Sequence, residues 1–418
     1  MIQNDLLFNI KKNIVSSVKL KRSLTLPLLV IYGLGATIGA GIYVLIGAAA
    51  GQAGIYAPLA FIFASIGVVP TALTYAELSS RLPVSAGEAA YVEHGFNKHF
   101  LTVTTGLMVI LSGIVAAATI SIGCAGYLGR LIDVPQVYLI IAVVALMGMV
   151  AIWGILESVL LAALFTLIEA SGLIALIYFG FTSEYLNFGN ISEVFTPNID
   201  TALGLGIVNA SMVAIFAFIG FEDIVNVAEE TRKPRRTLPL AIFLTLAITT
   251  ILYTLVTLVA VLTISPDILA QSEAPLADVF NKLTDISPHY LSLIAIFATA
   301  NTILAQFIMV SRVIYGMAED GKLPNIFQKV NHKTQTPVLA TLAVMLLTLI
   351  LALAFPLDRL AEITAQIILF IWTLANLALL RIKLRKEPPE KEGFIAPIWV
   401  PIVGVIFCIV MIVLSLAA

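Results

Sequence analysis

Residues 33–47 read GLGATIGAGIYVLIG, five glycines in the middle of an apolar run from Pro27 to Ala50. An interior glycine weakens a helix by about 1 kcal/mol relative to alanine. The run is therefore long and apolar enough for a helix, yet weak at its centre. A dinucleotide fingerprint is excluded, because the spacing is G-x-G-x-x-x-G and no strand precedes it. Gly35-x-x-x-Gly39 could be a close-packing face between helices and nothing more. A matching weak point elsewhere in the chain would favour a different account.

Composition makes the surroundings a membrane protein. Of 418 residues, 60% are hydrophobic and 11% charged, against roughly a quarter charged in ordinary soluble domains. A net charge of −2 offers no footprint for nucleic acid. Cys124 and Cys408 lie inside apolar runs, and His94, His99, His289 and His332 lie in loops or at span ends. No disulfide framework, metal site, cofactor or catalytic cluster is expected from them. At about 20 residues per bilayer crossing, the sequence divides into about eleven spans: 25–50, 55–79, 99–130, 135–154, 157–181, 201–229, 237–264, 290–316, 337–356, 361–381 and 395–417. The first is too long for a signal peptide, and ten more follow it. Residues 1–24 then form a cytoplasmic N-terminal segment, with Leu6, Leu7, Ile10, Ile14 and Val18 on one helical face. Residues 25–418 form one transmembrane domain.

Charge placement orients it. With the N-terminus cytoplasmic, only Arg130, Lys282 and Arg359 fall outside, and the other twenty of the 23 lysines and arginines fall inside. That asymmetry is a strong positive-inside signal. It puts the C-terminus outside and the protein in the cell membrane.

The sixth span supplies the matching weak point, AFIGFEDIV at 217–225, where two adjacent carboxylates sit at membrane depth. Its Ile219-Gly220 step repeats Ile38-Gly39 after 181 residues, five spans later. Five is odd, so the second copy runs through the membrane in the opposite direction. Paired interruptions in inverted halves point to a transporter site at the midplane. Unwound backbone survives in a membrane only where it is buried in protein or lines a cavity. Half-helix N-termini suit a carboxylate, and freed carbonyls suit an ammonium group. Together they describe a site for a zwitterion, and an α-amino acid is the simplest one.

Four stretches then resemble the amino acid, polyamine and organocation transporter superfamily, in its cationic amino acid transporter-like branch. They are GATIGAGIYVLIG in the first span, LTYAELSSRLPVSAGEAAYV at 73–92, FAFIGFEDIVNVAEETRKPRRTLP at 216–239 and SRVIYGMAEDGKLP at 311–324. The resemblance implies an all-α membrane protein with the five-plus-five inverted repeat of the leucine-transporter type, broken in helices 1 and 6. The repeats would cover about 25–181 and 201–381, with 395–417 as an extra helix. Relatives often have a twelfth span that is not seen here, which bears on oligomer contacts more than on transport, and no oligomeric state follows. Carried over by position, the substrate carboxylate meets the backbone at Gly39, Ala40 and Gly41, next to Ile38. The amine meets carbonyls near Thr37, Phe216 and Ile219. Phe216 matches a bulky residue that closes over the substrate. Ala40 stands where relatives often carry serine, which leaves binding to the backbone.

Two acids are linked to coupling. Glu222 directly follows the second break, and the resemblance makes it a polar link between the broken helices that responds to protons. Glu169 lies mid-span, where a carboxylate has to be paired or neutral for part of a cycle. Proton-coupled relatives carry a lysine at what looks like this position, and no span here contains a lysine. Three mechanisms stay open. Glu169 takes the proton in a symporter; or it merely bonds neighbours such as Thr166 or Ser171 in an uncoupled exchanger; or sodium binds near Thr299 and Thr302. Glu229 and Glu230 read as a solvated ion-pair patch beside the basic run 232–236. The third, eighth and tenth spans carry no deep acid for a distal cation, so a neutral amino acid comes first and a cationic one second. A sensor that binds without transporting is a further alternative. PLADVF at 275–280 reads as a short outer helix, and 84–100 as an inner linker helix.

Overall fold

The computed structural model describes residues 22–129, 131–186, 188–197, 201–272, 274–284, 289–389 and 393–417. The apolar face expected within 1–21, and Arg130, lie outside them. Each apolar run of the sequence becomes a helix, because only helices satisfy every backbone group within one segment when no water is present. In chain order these are α1 (Leu26–Ala53), α2 (Ala57–Arg81), α3 (Gly87–Phe96), α4 (His99–Gly129), α5 (Gln136–Trp153), α6 (Ile155–Thr182), α7 (Phe188–Phe195) and α8 (Thr201–Ala217). After them come α9 (Pro234–Thr263), α10 (Pro266–Gln271), α11 (Pro275–Thr284), α12 (His289–Glu319), α13 (Val338–Ala354), α14 (Leu357–Leu384) and α15 (Trp399–Ala417). Among the described residues, nine segments are long and apolar enough to cross a membrane, and Val338–Ala354 and Trp399–Leu414 are shorter apolar helices.

Start signals explain several of the boundaries. Prolines occupy the first turn of α1, α2, α9 and α10, where the missing N–H has no helical partner to lose. The short helices fall where the sequence expected them, α3 in the inner linker and α11 around PLADVF.

The sixth span, expected over 201–229, is interrupted at the weak point read in AFIGFEDIV. Its first half, α8, ends at Ala217, turn residues follow from Phe218 to Phe221, and Glu222–Glu230 continues as a 3-10 segment. Its inner end is tied to the start of α1. The Ser23 and Leu24 amides donate to the Glu230 carbonyl at 3.0 and 2.9 Å, and the Arg232 amide donates to the Leu24 carbonyl at 2.8 Å.

Glu230 corrects one expectation, since it does not belong to a solvated patch, whereas Glu229 stays half-buried beside Glu93, His94, Glu319 and Asp320. Glu230 is fully buried and pairs with the equally buried Arg312 of α12 at 3.4 Å. Glu229 accepts the Ser85 amide at 3.0 Å. The 3-10 segment carries Glu230 inward against α12, away from the basic run that follows it. Nearby, buried Glu77 on α2 holds Arg81 at 2.7 Å, Lys383 of α14 at 2.6 Å and the Ala396 amide at 2.8 Å. That network fastens α2 to the segment leading into α15.

Candidate functional site

The two weak points meet. Helix α1 runs on through its glycine cluster but kinks at Gly39, whose backbone is non-helical at φ 11° and ψ −142°. A methyl group added at Gly39 would run into the Thr302 hydroxyl of α12. Gly41 lies against Ala217, where a Cβ would come within 3.0 Å of the Ala217 Cα. From the other side, Gly220 takes φ +119°, and a Cβ there would stand 2.6 Å from the Ala36 carbonyl oxygen. Glycine is needed at Gly220 for its dihedral and at Gly41 for the close approach. The result is two interrupted segments interlocked backbone to backbone.

A residue outside the sequence expectations fastens them. The Tyr253 hydroxyl of α9 is fully buried and lies 2.8 Å from the Thr37 carbonyl, 3.0 Å from that of Ala217 and 3.3 Å from that of Ile38. Its single proton is shared among carbonyls that the kink and the break free from helical pairing. The Thr37 carbonyl, expected to meet an amine, is therefore engaged in this conformation. The Phe216 carbonyl closes a turn with the Ile219 amide at 3.2 Å. The Thr37 side chain bonds back to Gly33 at 2.8 Å. A lone tyrosine in a span whose other polar side chains are threonines was the available signal for Tyr253.

Glu222 acts as a link in the geometric sense. One carboxylate oxygen accepts the Gly220 amide at 2.9 Å, and the other accepts the Trp372 indole of α14 at 3.2 Å. Asp223 beside it accepts the Gln306 amide of α12 at 2.7 Å. Both acids line an internal cavity of about 30 Å³, together with Ile219 and Glu88 of α3. Burial pushes the Glu88 carboxyl up to about 7. Sequence reasoning missed Glu88, Gln306 and Trp372, because their relevance depends on which faces of α3, α12 and α14 turn inward.

Phe216 stands apart from that cavity. Its ring is 37% exposed and lines an apolar crevice with Ala365, Leu369 and Met411. Ile219, Ile368 and Trp372 line both spaces and separate them. Ile38 is fully buried, and the side chain of Ala40 lies outside the described residues.

Glu169 occupies a second, separate position. It is fully buried on α6 and receives the Asn301 amide of α12 at 3.3 Å, while its other oxygen has no partner. Thr166 and Ser171, its expected neighbours, bond elsewhere: Thr166 donates to Ala162 at 2.9 Å and Ser171 to Ile168 at 2.7 Å. Asn301 is the bridge, since its amide also reaches Thr166 at 2.8 Å. Thr299 donates to Ala295 on its own helix at 2.8 Å, and Thr302 lies 3.1 Å from the Ala298 carbonyl and 3.5 Å from that of Gly35 on α1.

Comparison with known proteins places this geometry in context. A family model described as amino acid permease matches residues 24–417. The vacuolar cationic amino acid transporter 2 of Arabidopsis thaliana is 30% identical over 402 residues, which is 90% of this chain and 61% of that protein. Human cationic amino acid transporter 4 is 29% identical, over 90% of this chain and 62% of its own length. The branched-chain amino acid permease BcaP of Bacillus subtilis (strain 168) is 27% identical, over 94% and 88%. The chain thus spans about three fifths of the length of the cationic transporters it matches and most of the bacterial permease.

Proposed function

We propose that this chain, which belongs to the amino acid permease family, is a secondary carrier that moves amino acids across the cell membrane by alternating access. One observation carries the reading. Two interrupted segments interlock through Gly41 and Gly220 inside a multi-pass membrane protein, with a polar cavity beside the second break. Backbone that has given up helical pairing at membrane depth belongs beside a ligand or a cavity. In this reading the substrate carboxylate is received by the backbone of Gly39, Ala40 and Gly41, next to Ile38. The ammonium takes carbonyls of Thr37, Phe216 and Ile219 once Tyr253 yields its hold, and Phe216 closes over the substrate. The repeats cover 25–181 and 201–381 within one transmembrane domain, with the N-terminus cytoplasmic.

A neutral amino acid carried with a proton is the preferred cycle, with Glu169 and Glu222 as the proton-linked acids. The preference for a proton rests on Glu169, buried with one oxygen unpartnered among the described residues. A second reading, a cationic substrate, is favoured by the names of several relatives. Uptake of labelled leucine, alanine, lysine and arginine into proteoliposomes tests both, with and without an inward proton gradient. Leucine or alanine accumulation driven by the gradient is expected. Flux no greater than the leak of empty liposomes for all four would refute a carrier and leave a sensor, and gradient-independent uptake of lysine alone would overturn the preferred cycle.

A further inference from the structure

Glu88, Glu222 and Asp223 line one cavity and come from two elements, the linker helix α3 and the 3-10 segment after the break. All three are buried, at 2%, 5% and 5% exposure. None has an ion-pair partner among the described residues, and the nearby buried cation, Arg312, is held by Glu230. The other groups facing Glu88 are polar and uncharged. They are Tyr75 of α2, Tyr91 of its own helix, Ser112 of α4, Asn226 of the 3-10 segment, Gln306 of α12 and Trp372 of α14.

Three ionised carboxylates crowded in such a place would repel one another without compensation. Something has to neutralise part of that charge. At about 30 Å³ the cavity has room for a water or two, too little for the basic side chain of an amino acid. Among the described residues no group of three acids is arranged to hold a metal ion. A proton bound to one of the carboxyls meets that need within so small a space.

Hydrogen-bond chemistry says where it goes. Glu222 accepts from Gly220 and Trp372, and Asp223 accepts from Gln306. Glu222 thus accepts on both oxygens, the pattern that best suits an ionised carboxylate. Glu88 is different: its Oε2 is buried and has no partner. We propose that Glu88 is a proton-binding site, holding its proton on Oε2 and exchanging it with the cavity. The raised value near 7 for Glu88 agrees with this placement. Because α3 lies in the inner linker and Glu222 is bonded to the break, the proton would be shared between the gate region and the substrate site. That last role alone rests on the carrier reading, while the proton site does not.

Infrared difference spectra of the purified full-length chain between about pH 5 and pH 9 test it. The parent is expected to show a protonated-carboxyl band that disappears with a midpoint near 7. Glu88→Gln lacks that component and Glu88→Asp keeps one. As an independent readout, Trp372 can be made the sole tryptophan by Trp153→Phe and Trp399→Phe, since those two are exposed. Its emission should follow the same transition through Glu222. A band unchanged in midpoint and size in Glu88→Gln overturns the proposal. Should Glu88→Gln not fold, a parent with no carboxyl band titrating between about pH 6 and 8 overturns it equally. Uptake measured in parallel separates the two readings. Transport without the titration sinks the proton site alone, and titration without flux sinks the carrier alone.

Discussion

Replacing Tyr253 by phenylalanine removes one oxygen and tests the junction of the two breaks. The aromatic packing survives, because the ring contacts to Phe61 and Phe218, at 5.7 and 5.4 Å between centroids, need no hydroxyl. What disappears is the donor shared by Thr37, Ala217 and Ile38. Leaving a buried acceptor unsatisfied costs about 1–3 kcal/mol. The kink and the break leave these carbonyls without a ready helical substitute. If this conformation depends on the shared proton, its population falls by about 5- to 150-fold. Thermal unfolding of the purified variant in detergent and concentration-dependent uptake in proteoliposomes read the two consequences. The unfolding midpoint should fall, and half-maximal uptake should require severalfold less substrate, because the Thr37 carbonyl no longer has to be released from the hydroxyl. A Tyr253→Phe protein matching the parent in both assays would show that the hydroxyl is incidental. Lower stability with unchanged uptake would separate the junction from the substrate site and refute the reasoning just as well.

Gly220→Ala should be far more damaging than its size suggests, since the new methyl would sit 2.6 Å from the Ala36 carbonyl at φ +119°. Strain of about 1–3 kcal/mol plus a similar overpacking term predicts sharply reduced yield of folded protein by size-exclusion chromatography. Breaking the buried Arg312–Glu230 pair should cost about 3–5 kcal/mol for either single change, Arg312→Met or Glu230→Leu, with much of it recovered in the double variant. Denaturant unfolding of all four proteins measures that cycle, and additive losses would contradict it. The Glu88 carboxyl ordinarily ionises near 4.5 and is held up to about 7 by burial. Its contribution to stability is therefore full below about pH 4.5 and lost as pH rises to about 7, on the order of 3 kcal/mol. Glu88→Gln should gain on the parent between pH 5 and pH 8 in thermal unfolding, and a constant difference would count against the burial argument. Glu169→Gln should lose gradient-driven accumulation while keeping exchange, and accumulation equal to the parent would remove Glu169 from the coupling path.

Much of this protein was legible from one dimension. The number and limits of the spans follow from the apolar runs, because hydrocarbon permits so few backbone solutions that length and composition nearly decide the element. The two weak points were visible as glycine clusters with a shared Ile-Gly step, since a helix needs side-chain-free positions where it bends or meets another backbone. Glu169 and Glu222 stood out because charge is rare at membrane depth. What the linear pattern could not carry was partnership. Tyr253 joins carbonyls 180 residues apart, Asn301 rather than a helical neighbour answers Glu169, and Glu230 turns inward to Arg312 instead of outward to the basic run. Composition and period determine which residues must leave water. Only the packed helices decide which polar atoms then face one another, because hydrogen bonds and like-charge crowding act over a few ångströms in space and take no account of distance along the chain.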